Sequence, residues 1–236
     1  MHGPPVPRPL LLACALGIER LALRGASGRA AVLRTGMGPR AARAAVTVAL
    51  GEEPEAGGTA VLATGFCAGL APGMRPGDLV VAEQTVDLTG GAPVPRTECG
   101  RSERAGTEHA RTEHARTECA GTEVLVRALA ESCPGRTVHT GTLAGVGRVV
   151  RGDRRAALRE ETGAVAADME SAAVLRAATA GAPVRPVAAV RVVVDAPRHE
   201  LIRVGTLRGG ISAFCVLHNA TSAFFEWNHS FLLPRR

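Results

Sequence analysis

Val165-Ala166-Ala167-Asp168-Met169-Glu170-Ser171-Ala172-Ala173-Val174 carries two structural signals in ten residues. A short apolar, strand-like run ends in two acids flanking a methionine, and an alanine-rich helical pattern follows at once. Glu170 therefore falls where a strand gives way to a helix, the position from which open α/β sheets present ligand-gripping side chains. The competing explanation is a carboxylate that only complements the dipole of the helix it precedes. Taken alone, the stretch fits the second explanation as well as the first.

Working outward, further strand-to-turn junctions of the same kind appear. Residues 9–16 read as a buried strand, and Gly17-Ile18-Glu19-Arg20 starts a short helix, so Glu19 lies just past a strand end. Ala31–Arg34 is a second strand. It is followed by Thr35-Gly36-Met37-Gly38-Pro39-Arg40 and a helix to about Leu50. Glycines ahead of a helix with Pro in its first turn make a tight connection whose N–H groups can face an anion or a polar ligand. Thr59–Thr64 is a third strand, running into Gly65-Phe66-Cys67-Ala68-Gly69-Leu70, where small residues let the backbone approach a bound ring. A fourth strand begins at Leu79 behind the Pro76-Gly77-Asp78 turn, and Thr137–Gly145 reads as another. Asp153 is placed to cap a helix reaching Glu161. Pro186–Val194 is a long buried strand with Asp195-Ala196-Pro197 at its end; a carboxyl there is the kind of desolvated acid that can keep its proton.

Residues 96–123 differ in kind. Thr or Ser followed by Glu recurs every fifth residue, from Thr97-Glu98 to Thr122-Glu123. A period of five fits neither helix nor strand and supplies little to bury, so a surface loop is expected. Cys99, His109, His114 and Cys119 share a slot of this repeat. Their spacing follows from duplication rather than from ligand geometry, and no metal site is expected. Residues 209–233 read as an amphipathic helix holding Phe214, Phe224, Phe225, Trp227 and Phe231, which serves core packing or a subunit contact, with a lipophilic substrate patch as the alternative.

Composition narrows the classes. With 236 residues, 46% hydrophobic and 21% charged, the chain suits one α/β domain spanning residues 1–236. The net charge of +6 comes from arginine alone, the pattern of GC-rich coding, so it is poor evidence for a polyanion partner. Aromatics are 3%, with no Tyr and no basic recognition motif, so nucleic-acid binding is not expected. Six cysteines without a CxxC pair favour reduced thiols in a cytoplasm. The apolar run before Cys14 is about seven residues, at the bottom of the range for a signal core and with proline in its lead-in, so a buried first strand is expected there; no later run approaches the ~20 residues of a membrane span.

Five of these stretches, in this order, resemble the purine nucleoside phosphorylase and methylthioadenosine/adenosylhomocysteine nucleosidase superfamily. They are Ala15–Glu19, Thr35–Gly38, Ala63–Leu70 with Gly77–Val81, Asp168–Ala172, and Val192–Asp195. The Gly36-Met37-Gly38-Pro39 turn and the Asp168-Met169-Glu170-Ser171 motif look most like the hopanoid-associated branch, which is thought to remove adenine from adenosylhopane. The resemblance implies a three-layer αβα fold around a twisted mixed sheet, and cleavage of a ribose–purine N-glycosidic bond. It implies Asp195 as the general acid at purine N7 and Glu19 as the carboxylate that activates the nucleophile. Glu170 and Met169 would hold the sugar, with Gly36, Gly38, Gly65, Phe66 and Cys67 around the substrate. No organic cofactor is implied, and the partners are a small nucleoside and further copies of the chain.

Phosphorylases of the superfamily hold phosphate through an Arg and a Ser or Thr near the third strand, where this chain has Ala63 and Phe66. That favours water, whereas Arg34 and Arg40 beside the glycine turn could bind inorganic phosphate as a co-substrate. Hydrolysis and phosphorolysis both stay open at this level. So does a non-catalytic nucleoside sensor on the same fold, although a binder has no need of an acid aimed at N7.

Overall fold

The computed structural model describes residues 8–53, 58–90, 114–182, 184–196 and 206–231. Strand β1 (Leu10–Cys14) is apolar at every position because both faces are covered. Leu10, Leu12 and Cys14 enter one core cluster, while Leu11 and Ala13 enter the other. This alternation fixes the layering. On the first side lie helices α3 (Thr122–Ser132), α6 (Thr206–Asn219) and α7 (Thr221–His229). On the second lie α2 (Pro39–Gly51) and α5 (Ser171–Thr179), through Ala42, Val46, Val174 and Leu175. Helices therefore cover both sides of a mixed sheet, as the resemblance implied.

The remaining strands are β2 (Ala31–Arg34), β3 (Ala60–Gly69), β4 (Leu79–Asp87), β5 (Ala115–Glu118), β6 (Val138–Gly145), β7 (Ala166–Asp168) and β8 (Val187–Asp195). Helices α1 (Gly17–Ala22) and α4 (Arg154–Thr162) complete the described elements, with a 3-10 turn at Leu23–Ala26. The sheet runs β2-β1-β3-β7-β6-β4-β5, and β8 joins β3 to β4 from the other side. Strands β3, β7, β6, β4 and β8 thus form a closed ring. Closure depends on β3, which is ten residues long and pairs with β8 in parallel along most of its length. At its far end it pairs with β7 antiparallel.

Several expectations change here. Gly65–Gly69 is not a loop; it continues β3, with its backbone paired to β8 and, at its end, to β7. The repeat region is not a loop throughout: Ala115–Glu118 pairs antiparallel with β4, and Thr122 opens α3. Backbone hydrogen bonds along the edge of β4 outweigh the absence of apolar periodicity there. The repeat before residue 114, with Cys99 and His109, lies outside the described residues. Asp153 does precede α4 but makes no side-chain cap hydrogen bond. The aromatic tail is two helices meeting at Ala220, and Phe224, Phe225 and Trp227 are buried in the first core cluster. Trp227 also donates its indole N–H to the Ala120 carbonyl at 2.7 Å. The five described cysteines are free, and no helix among the described residues is long and apolar enough to cross a membrane.

Candidate active site

The C-terminal ends of β1, β3, β7 and β8 meet at one end of the ring. Between them and the 146–150 segment lies a cavity of about 180 Å³. Glu19, Glu170 and Asp195 all line it, although they are far apart in the chain. Each is almost wholly buried.

Glu19 sits in the first turn of α1 and folds back over it. Its Oε2 accepts the backbone N–H groups of Ala15 (2.9 Å) and Leu16 (2.8 Å), and its Oε1 accepts that of Phe66 (2.8 Å). A carboxylate oxygen has two lone pairs, so Oε2 is saturated and Oε1 has one acceptor site left. Gly65 makes this approach feasible. Its φ is +133°, and a Cβ there would lie 2.4 Å from Glu19 Oε1 and 2.7 Å from Arg191 Nη1. Gly65 was expected to admit a bound ring; it instead admits two charged side chains and is absent from the cavity lining.

Glu170 immediately precedes α5 but does not cap it. Asp168 takes that role: it accepts the Ser171 N–H and, at 2.6 Å, the Ser171 hydroxyl. Glu170 reaches across to the glycine turn, where Oε1 accepts the Gly38 N–H at 2.8 Å. The turn's N–H therefore serves a carboxylate of the protein, and Gly36 and Gly38 do not line the cavity; Met37 between them does. Burial pushes the Glu170 carboxyl above its ordinary value, with Asp168 and Glu19 adding to the effect and Arg191 and the Gly38 N–H opposing it.

Arg191 is a guanidinium inside an apolar strand, 1% exposed. It pairs with Asp168 at 2.5 Å and donates to Ser171 Oγ and to the Thr64 carbonyl, each at 2.9 Å. Burial disfavours its charge, but Asp168, Glu170 and Glu19 outweigh this and raise its proton affinity further. The three acids around the cavity floor are thereby partly balanced from behind.

Asp195 ends β8, just past a bulge. Cys67 and Ala68 are consecutive in β3, yet they pair with Val193 and Asp195, leaving Val194 as the extra residue. The bulge breaks strand alternation, so Val194 and Asp195 both face the cavity. The sequence suggested an acid desolvated among apolar neighbours. The structure instead pairs it with Arg155 of α4, itself 2% exposed.

Met169, Phe66 and Cys67 line the cavity as well. Burial pushes the Cys67 thiol far above its ordinary value, so it is inert. Arg34 and Arg40 are exposed and outside the lining, and Ala63 is buried in the core. None of the tail aromatics among the described residues lines the cavity; they belong to the first core cluster or pack against it. Among the described residues no group of three His, Cys, Asp or Glu could hold a metal.

Sequence reasoning missed Arg155, Arg191, Asp168 and the wall formed by Val146, Arg148, Val149 and Val150. Arg191 was detectable, because a lone charge in a buried strand demands a buried partner. Arg155 was not, standing among Arg151, Arg154 and Arg159 with nothing to single it out.

A sequence profile described as the Phosphorylase superfamily matches residues 18–204. No curated protein matches the chain. Among solved structures, the 5′-methylthioadenosine/S-adenosylhomocysteine nucleosidase of Neisseria meningitidis, in complex with methylthio-immucillin-A, is similar with a TM-score of 0.70. Identity is 19%, over 95% of this chain and 100% of that one. The Streptococcus pneumoniae nucleosidase with a transition-state inhibitor gives 0.67 and 20%, over 92% and 98%. A Helicobacter pylori nucleosidase variant with 5′-methylthioadenosine in its active site gives 0.65 and 18%, over 93% and 96%. At these identities the likeness establishes the fold.

Proposed function

Because the chain belongs to the Phosphorylase superfamily, we propose that it cleaves the N-glycosidic bond of a 5′-substituted adenosine, with water as the nucleophile. The observation that carries this reading is the convergence of Glu19, Glu170 and Asp195 on one cavity. In the proposed reaction Glu19 Oε1 uses its remaining acceptor site to orient water and take its proton as the water attacks C1′. Glu170 holds the ribose hydroxyls against Met169, and its charge favours the cationic sugar that forms as the bond stretches. Asp195 gives a proton to N7, so the base departs neutral.

Water is favoured over phosphate by the charges on the Glu19 side. That flank presents a carboxylate, and the buried cation behind it, Arg191, is already committed to Asp168. An apolar 5′ substituent, as in the hopanoid-associated branch, is supported by Met37 and Val149, exposed apolar residues on the cavity lining. Exposed Ile18, Leu21 and Val48 on α1 and α2 support a homo-oligomer.

The test is base release from methylthioadenosine, adenosylhomocysteine, adenosine and inosine, each with and without phosphate. Adenine and a free ribose product, at a rate indifferent to phosphate, is the expected result. Ribose-1-phosphate would make the enzyme a phosphorylase. Tight nucleoside binding with no base release would favour the sensor.

A further inference from the structure

The Arg155–Asp195 pair is one-sided. Nη2 of Arg155 donates to Asp195 Oδ2, whereas Oδ1 of Asp195 and Nε and Nη1 of Arg155 are buried without a hydrogen-bond partner among the described residues. Asp195 lines the cavity, and Arg155 does not, so the arginine stands behind the acid and away from the substrate. A guanidinium has five N–H donors and no acceptor. The oxygen that faces it must therefore offer a lone pair to a cation, which makes the other oxygen the better place for a proton.

We propose that Arg155 is the positioning residue of the proton donor: by occupying Oδ2 it confines any proton on Asp195 to Oδ1. This rests on the reading of Asp195 as the acid at N7. The Oδ1–H bond breaks as N7–H forms, the C1′–N9 bond breaks with its electron pair going to the purine, and the carboxylate left behind is already paired with Arg155. Charge develops on Asp195 beside a fixed cation, so the arginine favours the products of the transfer without touching the base. Its place on α4, in a helix rather than a loop, gives the guanidinium a fixed origin from which to hold Oδ2.

The experiment is a double-mutant cycle with Arg155→Met, Asp195→Asn and the double variant, plus Arg155→Lys, following steady-state base release. Arg155→Met is expected to lower kcat about 10- to 100-fold, a fraction of what a general acid contributes, with KM within about threefold. Arg155→Lys should recover most of that loss. In the Asp195→Asn background, Arg155→Met should cost nothing further, because its action passes through the carboxyl. A similar fold-loss in both backgrounds, a loss carried by KM alone, or unchanged turnover would overturn the assignment. If Arg155→Met fails to fold, the comparison of Asp195→Asn with the double variant, in which neither charge is left unpaired, decides it. Wild-type protein that releases no base from any nucleoside would refute the proposed reaction instead. The pairing is then judged on melting temperatures, where strictly additive losses in the cycle overturn it.

Discussion

Gly38 gives its backbone N–H to Oε1 of Glu170 at 2.8 Å, joining two turns 132 positions apart in the chain. One carboxylate oxygen is thereby fixed by backbone; in the proposed reaction the other is left for the ribose.

The burial that lifts Glu170 above its ordinary value gives it a pH signature. As pH falls, this carboxyl takes up a proton earlier than a solvated glutamate and stops acting as an anion towards the sugar. KM for the nucleoside should therefore rise on the acid side, beginning above the usual carboxylate range, and stay flat at higher pH. Glu170→Gln should remove that dependence and raise KM by about tenfold or more, in keeping with the loss of a charged hydrogen bond. Steady-state kinetics between pH 4 and 8 check both points; an unchanged acid limb in Glu170→Gln would assign the titration to another group.

Asp195→Asn should cost about 10²- to 10⁴-fold in kcat, the usual contribution of a general acid. It also leaves the buried Arg155 guanidinium facing a neutral amide, so the melting temperature should fall, by an amount equivalent to about 2–3 kcal/mol. Near wild-type turnover in a folded variant would remove the acid role.

Gly65→Ala tests the crowding around Glu19. The added Cβ must displace either Glu19 or Arg191, and a φ of +133° is strained for any L side chain. A stability loss of about 2–4 kcal/mol is expected, together with a larger fall in kcat than in substrate affinity. A variant with wild-type melting and turnover would show that the glycine is incidental.

Glu53 gives a stability prediction away from the site. Arg185 pairs with it and holds its carboxyl at about 2, below the ordinary 4.5, against the opposing effect of burial. A depressed folded-state value contributes stability above the unfolded value. That contribution, about 2–3 kcal/mol, is lost as pH falls from 4.5 towards 2. Urea melts at pH 7 and pH 3 should show this loss in the wild type, and Glu53→Gln should be less stable at pH 7 with a shallower acid slope.

The sequence made the strand-to-helix junctions legible because each carries its own punctuation. Apolar β1 is followed by Gly17 at the start of α1, β2 by a glycine turn with Pro39 at the helix start, and β7 closes on Asp168 with Met169-Glu170 just beyond. Three acids at strand ends could therefore be picked out. Their counter-charges could not, because Arg155 reaches Asp195 through tertiary packing of α4 rather than through any local pattern. The Val194 bulge was equally hidden: Val192-Val193-Val194 looks like uniform strand, and only the register against Cys67 and Ala68 shows the extra residue. The strand at Ala115–Glu118 was missed for the opposite reason, since its repeat has no alternation and its pairing is supplied by β4.

Ala68 has Ala167 on one flank and Asp195 on the other. In the proposed reaction, the strand that bears it is thus a shared spacer between the β7 end that leads to Glu170 and the β8 end that carries Asp195. The spacing of those two strand ends is set by inter-strand hydrogen bonding on both sides of one strand, a dimension that side-chain substitution barely alters. Variation among substrates would have to be accommodated elsewhere, at the rim where Met37 and Val149 stand in solvent, while the reacting centre keeps a fixed gauge.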